Sequence, residues 1–598
     1  MKQFETNPGI WLFERNKAIL KWNRIIINLV SFAVFMLMIA RYGFEYNAQL
    51  SSYWIPIIRF FYGIYTFNFL FRLFLSRRKI EFLQSNWFET LLFALMLGSG
   101  ISYFVFATPQ LQRLLLSRGI ELHIYEFLLL LFLLILAFVE FVKSLGFITS
   151  SKIKPTTLFI GSYFILLGVG TGLMMLPGFN VKYEFMNFYD ALFTATSATC
   201  ITGLSTFNVA EYLNFKGQVL LLILFQLGGI GILTFASFFA TFIKKGLGIK
   251  HQILMNELFD TDSISGSLSL LKRILFFLFG IEFIGVLLML GLWGDYPFSS
   301  FDQKLFYSVF HTVSAFCNAG FSLLPAGMKT AGVSELYLLH WLIIGLVFLG
   351  SLGFPALRDI LSPTKLRERI RLPWKGWKTS TKISLYTGLV LLMGGALFYI
   401  LLMPEVHTSS RWTIQSVTKG VFQSINLRSC GMSLVSLENI TPPLIMISMF
   451  LMFVGGGSSS LAGGIKTSTF IVVVAAIIST IRGRKEATLG KRTIANDLIY
   501  RAFAVILFSG NFVLITTTIL TFTEPDLPFL KIAFEAVSAF ANTGLSMGIT
   551  DALSDAGKVI LSISMLAGRV GLLTLAFALS SKEKPNTVRY PKTHIIIG

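Results

Sequence analysis

The chain has 598 residues, of which 54% are hydrophobic and only 13% charged, with 60 phenylalanines. Soluble domains carry about twice that charge, so this composition excludes an ordinary soluble protein and implies a polytopic membrane protein. The net charge of +20 would suit a nucleic-acid binder, but the basic residues lie in short clusters between apolar spans, as the positive-inside rule requires, so no nucleic-acid partner is expected.

Met1 to Arg24 is basic and lacks the apolar core and cleavage site of a signal peptide, which predicts a cytoplasmic N-terminus. Residues 1–150 form a first region with four expected spans, at about Ile25 to Arg41, Trp54 to Leu75, Trp87 to Phe106 and Ile124 to Leu145. The basic turns Ser76 to Lys79 and Lys143 to Lys154 then fall on the inner side, whereas Arg113 and Arg118 fall outside, against the rule. Phe67 to Leu92 distantly resembles two helices of voltage-sensor domains. No ladder of arginines follows it, so a scaffold or dimer-contact role is the better reading.

From residue 151 a pattern repeats. SATCITGL (Ser197 to Leu204), SAFCNAGF (Ser314 to Phe321), INLRSCGM (Ile425 to Met432) and SAFANTGL (Ser538 to Leu545) share one glycine each. These glycines, Gly203, Gly320, Gly431 and Gly544, recur at intervals of 117 (203 to 320), 111 (320 to 431) and 113 (431 to 544) residues, too long for a solenoid unit. Each sits between a short half-apolar segment and a long apolar one, which reads as helix, re-entrant pore hairpin, helix. The expected repeats are 151–250, 251–365, 366–490 and 491–580, followed by a cytoplasmic tail at 581–598. The linkers Lys244 to Lys250, Arg358 to Lys382 and Arg482 to Lys485 are basic, so the hairpin mouths are expected to open outward.

Non-helical backbone at membrane depth is tolerated only inside protein or around a water-filled cavity. Four such hairpins are therefore expected around one central ion pore, with glycine letting consecutive carbonyls turn inward to replace an ion's hydration shell. The short helices would aim the negative ends of their dipoles at a cation. One glycine alone would read as a turn or helix-contact residue; four at matched places favour a filter. GGGSSSLAGGIK, which includes Gly455, Gly456, Gly457, Ser458, Gly463, Gly464 and Lys466, should unwind the second helix of the third repeat. A packing kink is the plainer alternative. Lys466 is expected to hold this loop through a carbonyl or carboxylate. Arg569 interrupts the apolar run Val559 to Leu579 about mid-helix, where a charge is costly, with a structural acidic partner as the alternative. Cys200, Cys317 and Cys430 could suggest a soft-metal path, but no His or Met ring accompanies them and Ala541 replaces cysteine in the fourth copy.

The chain resembles the Trk/Ktr/HKT family of potassium transporters over about Ser151 to Gly598. The residues that carry the resemblance are the four glycine segments together with GGIGILTF (Gly228 to Phe235), GSLGFPAL (Gly350 to Leu357), GGGSSSLAGGIKTSTF (Gly455 to Phe470) and GRVGLLTL (Gly568 to Leu575). The resemblance implies an all-α membrane protein with four tandem helix, pore loop, helix repeats, preceded here by four additional N-terminal transmembrane helices. It implies potassium bound at filter carbonyls of Cys200, Ile201, Thr202 and Gly203; Cys317, Asn318, Ala319 and Gly320; Arg428, Ser429, Cys430 and Gly431; and Ala541, Asn542, Thr543 and Gly544. It also implies a gate made by the loop at Gly455 to Lys466, with Arg569 as a cation facing the pore below the filter. The implied assembly is a homodimer in the inner (plasma) membrane, with both termini cytoplasmic. A nucleotide-binding cytoplasmic ring of the TrkA/KtrA kind would regulate it. No enzymatic activity, organic cofactor or internal nucleotide-binding loop is expected. A sodium-permeable or sodium-coupled transporter of the same fold is the alternative. An alternating-access carrier would instead show inverted repeats and coupling carboxylates at the midplane.

Overall fold

The computed structural model describes residues 8–44, 48–75, 79–85, 90–94, 133, 155–242, 267–402, 413–438, 440–490, 492–572 and 575–576. Most of the third and all but one residue of the fourth expected N-terminal span, the linker at Lys244 to Lys250 and the tail at 581–598 lie outside them. Contacts divide the chain into two units, Met1–Lys152 and Ile153–Gly598.

In the first unit, helices α1 (Pro8–Gly43) and α2 (Ala48–Leu75) each contain a stretch long and apolar enough to cross a membrane, Ile25–Gly43 and Pro56–Phe74. A short α3 (Lys79–Ser85) follows. Apolar helices in lipid pair through side-chain packing and interhelical hydrogen bonds, and Ile27, Val34, Ile58 and Tyr65 supply that packing. Here the hydroxyls of Ser31 and Tyr65 lie 2.7 Å apart and the Asn23 amide donates to Asn68 Oδ1 at 2.7 Å.

The second unit repeats one order of elements four times: a long helix, a short helix that stops near a glycine, and another apolar helix. The first set is α4 (Pro155–Met174), α5 (Phe188–Cys200), the single turn α6 (Val209–Tyr212) and α7 (Phe215–Phe242). The second is α8 (Ser267–Leu292), α9 (Phe301–Cys317) and α10 (Tyr337–Leu352), continued by α11 (Phe354–Leu361) and the basic α12 (Pro363–Arg371). The third is α13 (Thr379–Leu402), α14 (Ile414–Ser429), α15 (Pro442–Phe453) and α16 (Thr467–Ile481). A two-stranded hairpin, β1 (Thr488–Leu489) and β2 (Arg492–Thr493), leads to the last set, α17 (Asn496–Thr523), α18 (Phe529–Ala541) and α19 (Asp555–Val570). Among the described residues five helices could each cross a membrane, or six if the pair α10 and α11, bent by 110°, counts as one span.

Three of the four short helices begin with side chains that satisfy first-turn N–H groups, and α18 begins after Pro528 with no such cap. Asn187 accepts from the Tyr189 N–H, Ser300 from that of Gln303 and Thr413 from that of Ser416. They are the buried elements: every residue of α5 from Phe193 to Cys200 is enclosed by the surrounding helices, while α4, α8 and α17 keep many large apolar side chains exposed on their outer faces. The last set also closes on the first, because Lys558 of α19 pairs with Asp190 of α5 at 2.8 Å.

One contact recurs in three sets and explains the GxxG motifs. A Cβ on Gly228 of α7 would strike the carbonyl oxygen of Thr199; on Gly350 of α10, that of Phe316; on Gly568 of α19, that of Phe540. Each glycine thus lets an outer helix touch the end of a short helix four residues before its shared glycine. Three residues further on, Gly353 (φ 89°) and Gly571 (φ 84°) take conformations open to glycine and end the helix. Arg569 is therefore in the last turn of α19, not mid-helix as the apolar run suggested. A Cβ on Gly168, by contrast, would meet nothing within 4 Å, so no neighbouring element requires a glycine there. Gly568→Ala is expected to cost roughly 1–3 kcal/mol by overpacking, whereas Gly168→Ala should be neutral or stabilising by about 0.5–1 kcal/mol. Melting temperatures of the two purified variants check this; equal values would remove the close approach as the reason for Gly568.

Candidate functional site

The four shared glycines meet. Their φ values are 93° for Gly203, 75° for Gly320, 80° for Gly431 and 86° for Gly544. A Cβ on Gly203 would lie 2.6 Å from the Ala319 carbonyl oxygen. On Gly320 it would strike that of Cys430, on Gly431 that of Thr543, and on Gly544 that of Thr202. The carbonyl before each glycine therefore fills the space where the neighbouring set's glycine lacks a side chain. The contacts run from first to second, third, fourth and back to first, so the ring is closed.

Each strand of the ring is delivered by the end of a short helix. In three sets the helix stops at Cys200, Cys317 or Ala541, and the next residue turns left-handed: Ile201 (φ 58°), Asn318 (φ 61°) and Asn542 (φ 50°). The N–H after it folds back, from Thr202 to the Ser197 carbonyl at 2.7 Å, Ala319 to Ser314 at 2.7 Å and Thr543 to Ser538 at 2.9 Å. A β-branched residue in that region is strained by about 1–3 kcal/mol, so Ile201 holds its place only because its surroundings dictate it. The third set differs, as its altered sequence suggested. Here α14 runs on through Arg428 and Ser429, Cys430 stays right-handed at φ −118°, and Gly431 N–H bonds the Asn426 carbonyl at 3.0 Å.

Side chains brace the ring from behind. Ser197 Oγ accepts from the Gly203 N–H at 3.0 Å, Ser314 Oγ donates to the Phe321 carbonyl at 2.8 Å, and the Asn542 amide bridges Thr202 Oγ1 and the Met565 carbonyl at 2.9 Å each. Cys200, Cys317 and Cys430 are free and buried. Cys317 Sγ donates to Gln226 Oε1 at 3.3 Å, and Gln226 in turn donates to both oxygens of Glu282 at 3.1 Å. Among the described residues no group of three or more His, Cys, Asp or Glu is placed to hold a metal.

Gly455 to Lys466 is non-helical between α15 and α16, as its composition suggested. It borrows backbone partners from the broken end of α10: Gly457 N–H donates to the Ser351 carbonyl at 2.7 Å and Leu461 N–H to that of Gly350 at 3.3 Å, while Phe354 N–H donates to the Ser459 carbonyl at 3.3 Å. Gly456 and Ser458 lie against this break, and Gly463 fits against the Ala541 carbonyl and the Asn542 side chain with room for no Cβ; Gly464 turns with φ 67°. The loop thus packs against the residues that lead into the fourth glycine.

Three cations hold carbonyls of this loop. Lys466 Nζ donates to Ala462 at 2.6 Å. Arg569 donates to Leu461 and, at 3.1 Å, to Gly228, carbonyls of the loop and of α7, and no acid pairs with it among the described residues. Arg428 donates to Gly455 at 2.9 Å and to Gly388 of α13 at 3.0 Å. Its position in the third glycine segment suggested a carbonyl role, yet the side chain is 1% exposed and ties α14 to the loop. The sequence reading missed this, as it missed Gln226 and Glu282; for Glu282, a carboxylate within an apolar span, the signal was present.

A chain with these apolar spans and this ring has the build of a membrane transport protein. The profile of the TrkH family, cation transport proteins, matches residues 174–590, and the chain belongs to that family. It is 34% identical over 449 residues to Ktr system potassium uptake protein B of Bacillus subtilis, covering 74% of this chain and 96% of the relative. It is 32% identical over 453 residues to the potassium/sodium uptake protein NtpJ of Enterococcus hirae, covering 75% and 98%. The fold is similar to that of the potassium transporter TrkH from Vibrio parahaemolyticus, with a TM-score of 0.58 at 15% identity over 75% of this chain and 90% of that one.

Replacing Arg428 by Met should leave the non-helical Gly455 carbonyl buried without a donor, at roughly 1–3 kcal/mol, and take from the Gly388 carbonyl the second donor it has beside its helical one. Arg428→Lys, with one point-like ammonium, should restore only part of the loss. Thermal melts of the purified variants measure this, and Arg428→Met melting with wild type would show that the strut holds nothing.

Proposed function

We propose that this chain takes up potassium through a channel-like pore whose selectivity filter is the ring of Gly203, Gly320, Gly431 and Gly544. The observation that carries the proposal is the cyclic fit of each glycine to its neighbour's carbonyl, in which the Thr202, Ala319, Cys430 and Thr543 oxygens are members of one closed ring. Carbonyl rings replace an ion's hydration shell, and four helix C-termini add partial negative charge toward the same centre. The potassium uptake named for the Bacillus and Enterococcus relatives agrees with this reading. Potassium dehydrates more easily than sodium, which favours it as the ion; the potassium/sodium name of the Enterococcus relative keeps a sodium-permeable pore as the second reading. Uptake rescue of a potassium-starved bacterium, with and without sodium, separates the two.

In this reading the pore repeats span 151–250, 251–365, 366–490 and 491–580, and the N-terminal helices are an addition to them. The loop from Gly455 to Lys466 is the gate. Arg428, Lys466 and Arg569 keep it closed through its carbonyls, so Arg569 acts as a clamp as well as a charge. The chain would work in the plasma membrane with cytoplasmic termini, as a homodimer on a cytoplasmic nucleotide-binding ring that pulls the gate open.

Gly203→Ser would place a side chain against the Ala319 carbonyl and strain a backbone at φ 93°, at about 1–3 kcal/mol. The sodium-to-potassium permeability ratio should rise, while Gly168→Ser should leave it unchanged. Reversal potentials in mixed salts measure the ratio, and an unchanged value for Gly203→Ser removes Gly203 from the filter.

Deleting residues within Gly455 to Gly464, or Arg569→Ala, should raise basal flux in vesicles and make it insensitive to the ring. Arg569→Lys should also raise flux, since one ammonium does not bridge the Leu461 and Gly228 carbonyls. Lower flux from folded loop and Ala variants would show that neither element is a barrier; Lys behaving as wild type would assign the barrier to charge alone.

A further inference from the structure

We infer that α12 and Trp374 form a docking platform for anionic phospholipid headgroups on the face opposite the pore hairpins. The placement follows from the chain path. The α9 hairpin begins and ends on one side, α10 leads away from it, and at Gly353 the chain bends by 110° into α11, which therefore does not continue the direction of the span. Helix α12 continues from it, and α13 starts back across at Thr379. A segment tethered at both ends to spans lies at the water boundary.

Its sequence, PTKLRERIR, is two-sided. At about 100° per residue, Leu366 and Ile370 share one stripe, with Arg367 and Arg371 on one flank and Lys365 and Arg369 on the other; Glu368 lies at the back. The stripe is uncovered: Leu366 is 51% exposed, Ile370 72% and Trp374, just past the end of the helix, 80%. Apolar side chains flanked by arginines, with an exposed tryptophan beside them, are the composition of helices that lie in the headgroup layer.

The platform is also fixed in place. Arg369 Nη2 pairs with Asp359 of α11 at 2.6 Å, and Asp359 Oδ2 accepts from the Lys378 N–H and the Thr381 hydroxyl at 3.0 Å each, which locks α12 between the two spans. Glu368 pairs with Lys365 at 3.3 Å and with Lys375, which neutralises the back of the helix. Arg367 and Arg371, both exposed, have no acidic partner among the described residues, and they flank the open apolar stripe. Two free guanidiniums beside an apolar stripe match a phosphate-bearing headgroup and the acyl chains beneath it, and select an anionic lipid over a zwitterionic one.

The full-length protein is reconstituted in phosphatidylcholine vesicles containing brominated phosphatidylglycerol or, at equal mole fraction, brominated phosphatidylcholine. Bromine quenches nearby tryptophans, and the Trp374 share, one of nine tryptophans, is isolated as the difference between wild type and Trp374→Phe. We expect stronger quenching of that share by the anionic lipid. In Arg367→Gln/Arg371→Gln the preference should fall by about ten-fold or more in lipid affinity, since each basic residue near an anionic surface contributes about five-fold. Equal quenching by the two lipids in wild type, or a preference that survives the double substitution, overturns the proposal. Quenching by neither lipid also overturns it and assigns the face to a protein partner. The wild-type and Trp374→Phe comparison decides the matter even where the double variant does not fold.

Discussion

Everything near the centre of this protein depends on four places where a carbonyl oxygen occupies the room a side chain would take. The ring formed by Gly203, Gly320, Gly431 and Gly544 is held by mutual exclusion, because each turn is shaped by the next one around. The same device, glycine against carbonyl, recurs one layer out at Gly228, Gly350 and Gly568, where it seats the outer helices on the ends of the short ones. Glycine is costly within helices, and its use at these points shows that close backbone approach outweighs propensity.

The gate proposed below the ring follows another economy. Its carbonyls at Gly455, Leu461 and Ala462 are met by Arg428, Arg569 and Lys466, and none of these three links is to a carboxylate. A buried carboxylate would bind a cation firmly and attract the permeating ion as well. Neutral oxygens hold more weakly, which would suit a segment that moves as the proposal requires, and the three side chains stay without a neutralising charge in these links.

The repeat made the four glycines, the short helices and the unwound loop legible, because each rests on local chemistry: an alternation of apolar and polar segments, a glycine cluster, a cap. What stayed hidden depends on contacts between distant segments. Arg428 reads as part of its glycine segment until α13 and the loop bring Gly388 and Gly455 to its side chain. Arg569 reads as mid-helix because Gly571 differs from the helical glycines nearby only in its φ of 84°. The bracing of Cys317 by Gln226 and Glu282 joins two sets through side chains whose spacing follows no motif.

The bond from Asn542 to Thr202 joins residues separated by 340 positions, and Lys558 reaches back to Asp190 across a similar span. The first and last quarters of the ring are therefore each other's template, yet one is made long before the other. At roughly 5–20 residues per second of synthesis, Thr202 waits about 20–70 s for its partner. Through that interval the strained turn at Ile201 rests only on the first two sets, whose Leu221, Val313 and Cys317 share its core cluster. The centre of the molecule is thus the last part to take its final form, and the early quarters must persist in the bilayer as an incomplete arc whose inner carbonyls are served by water until the chain comes round.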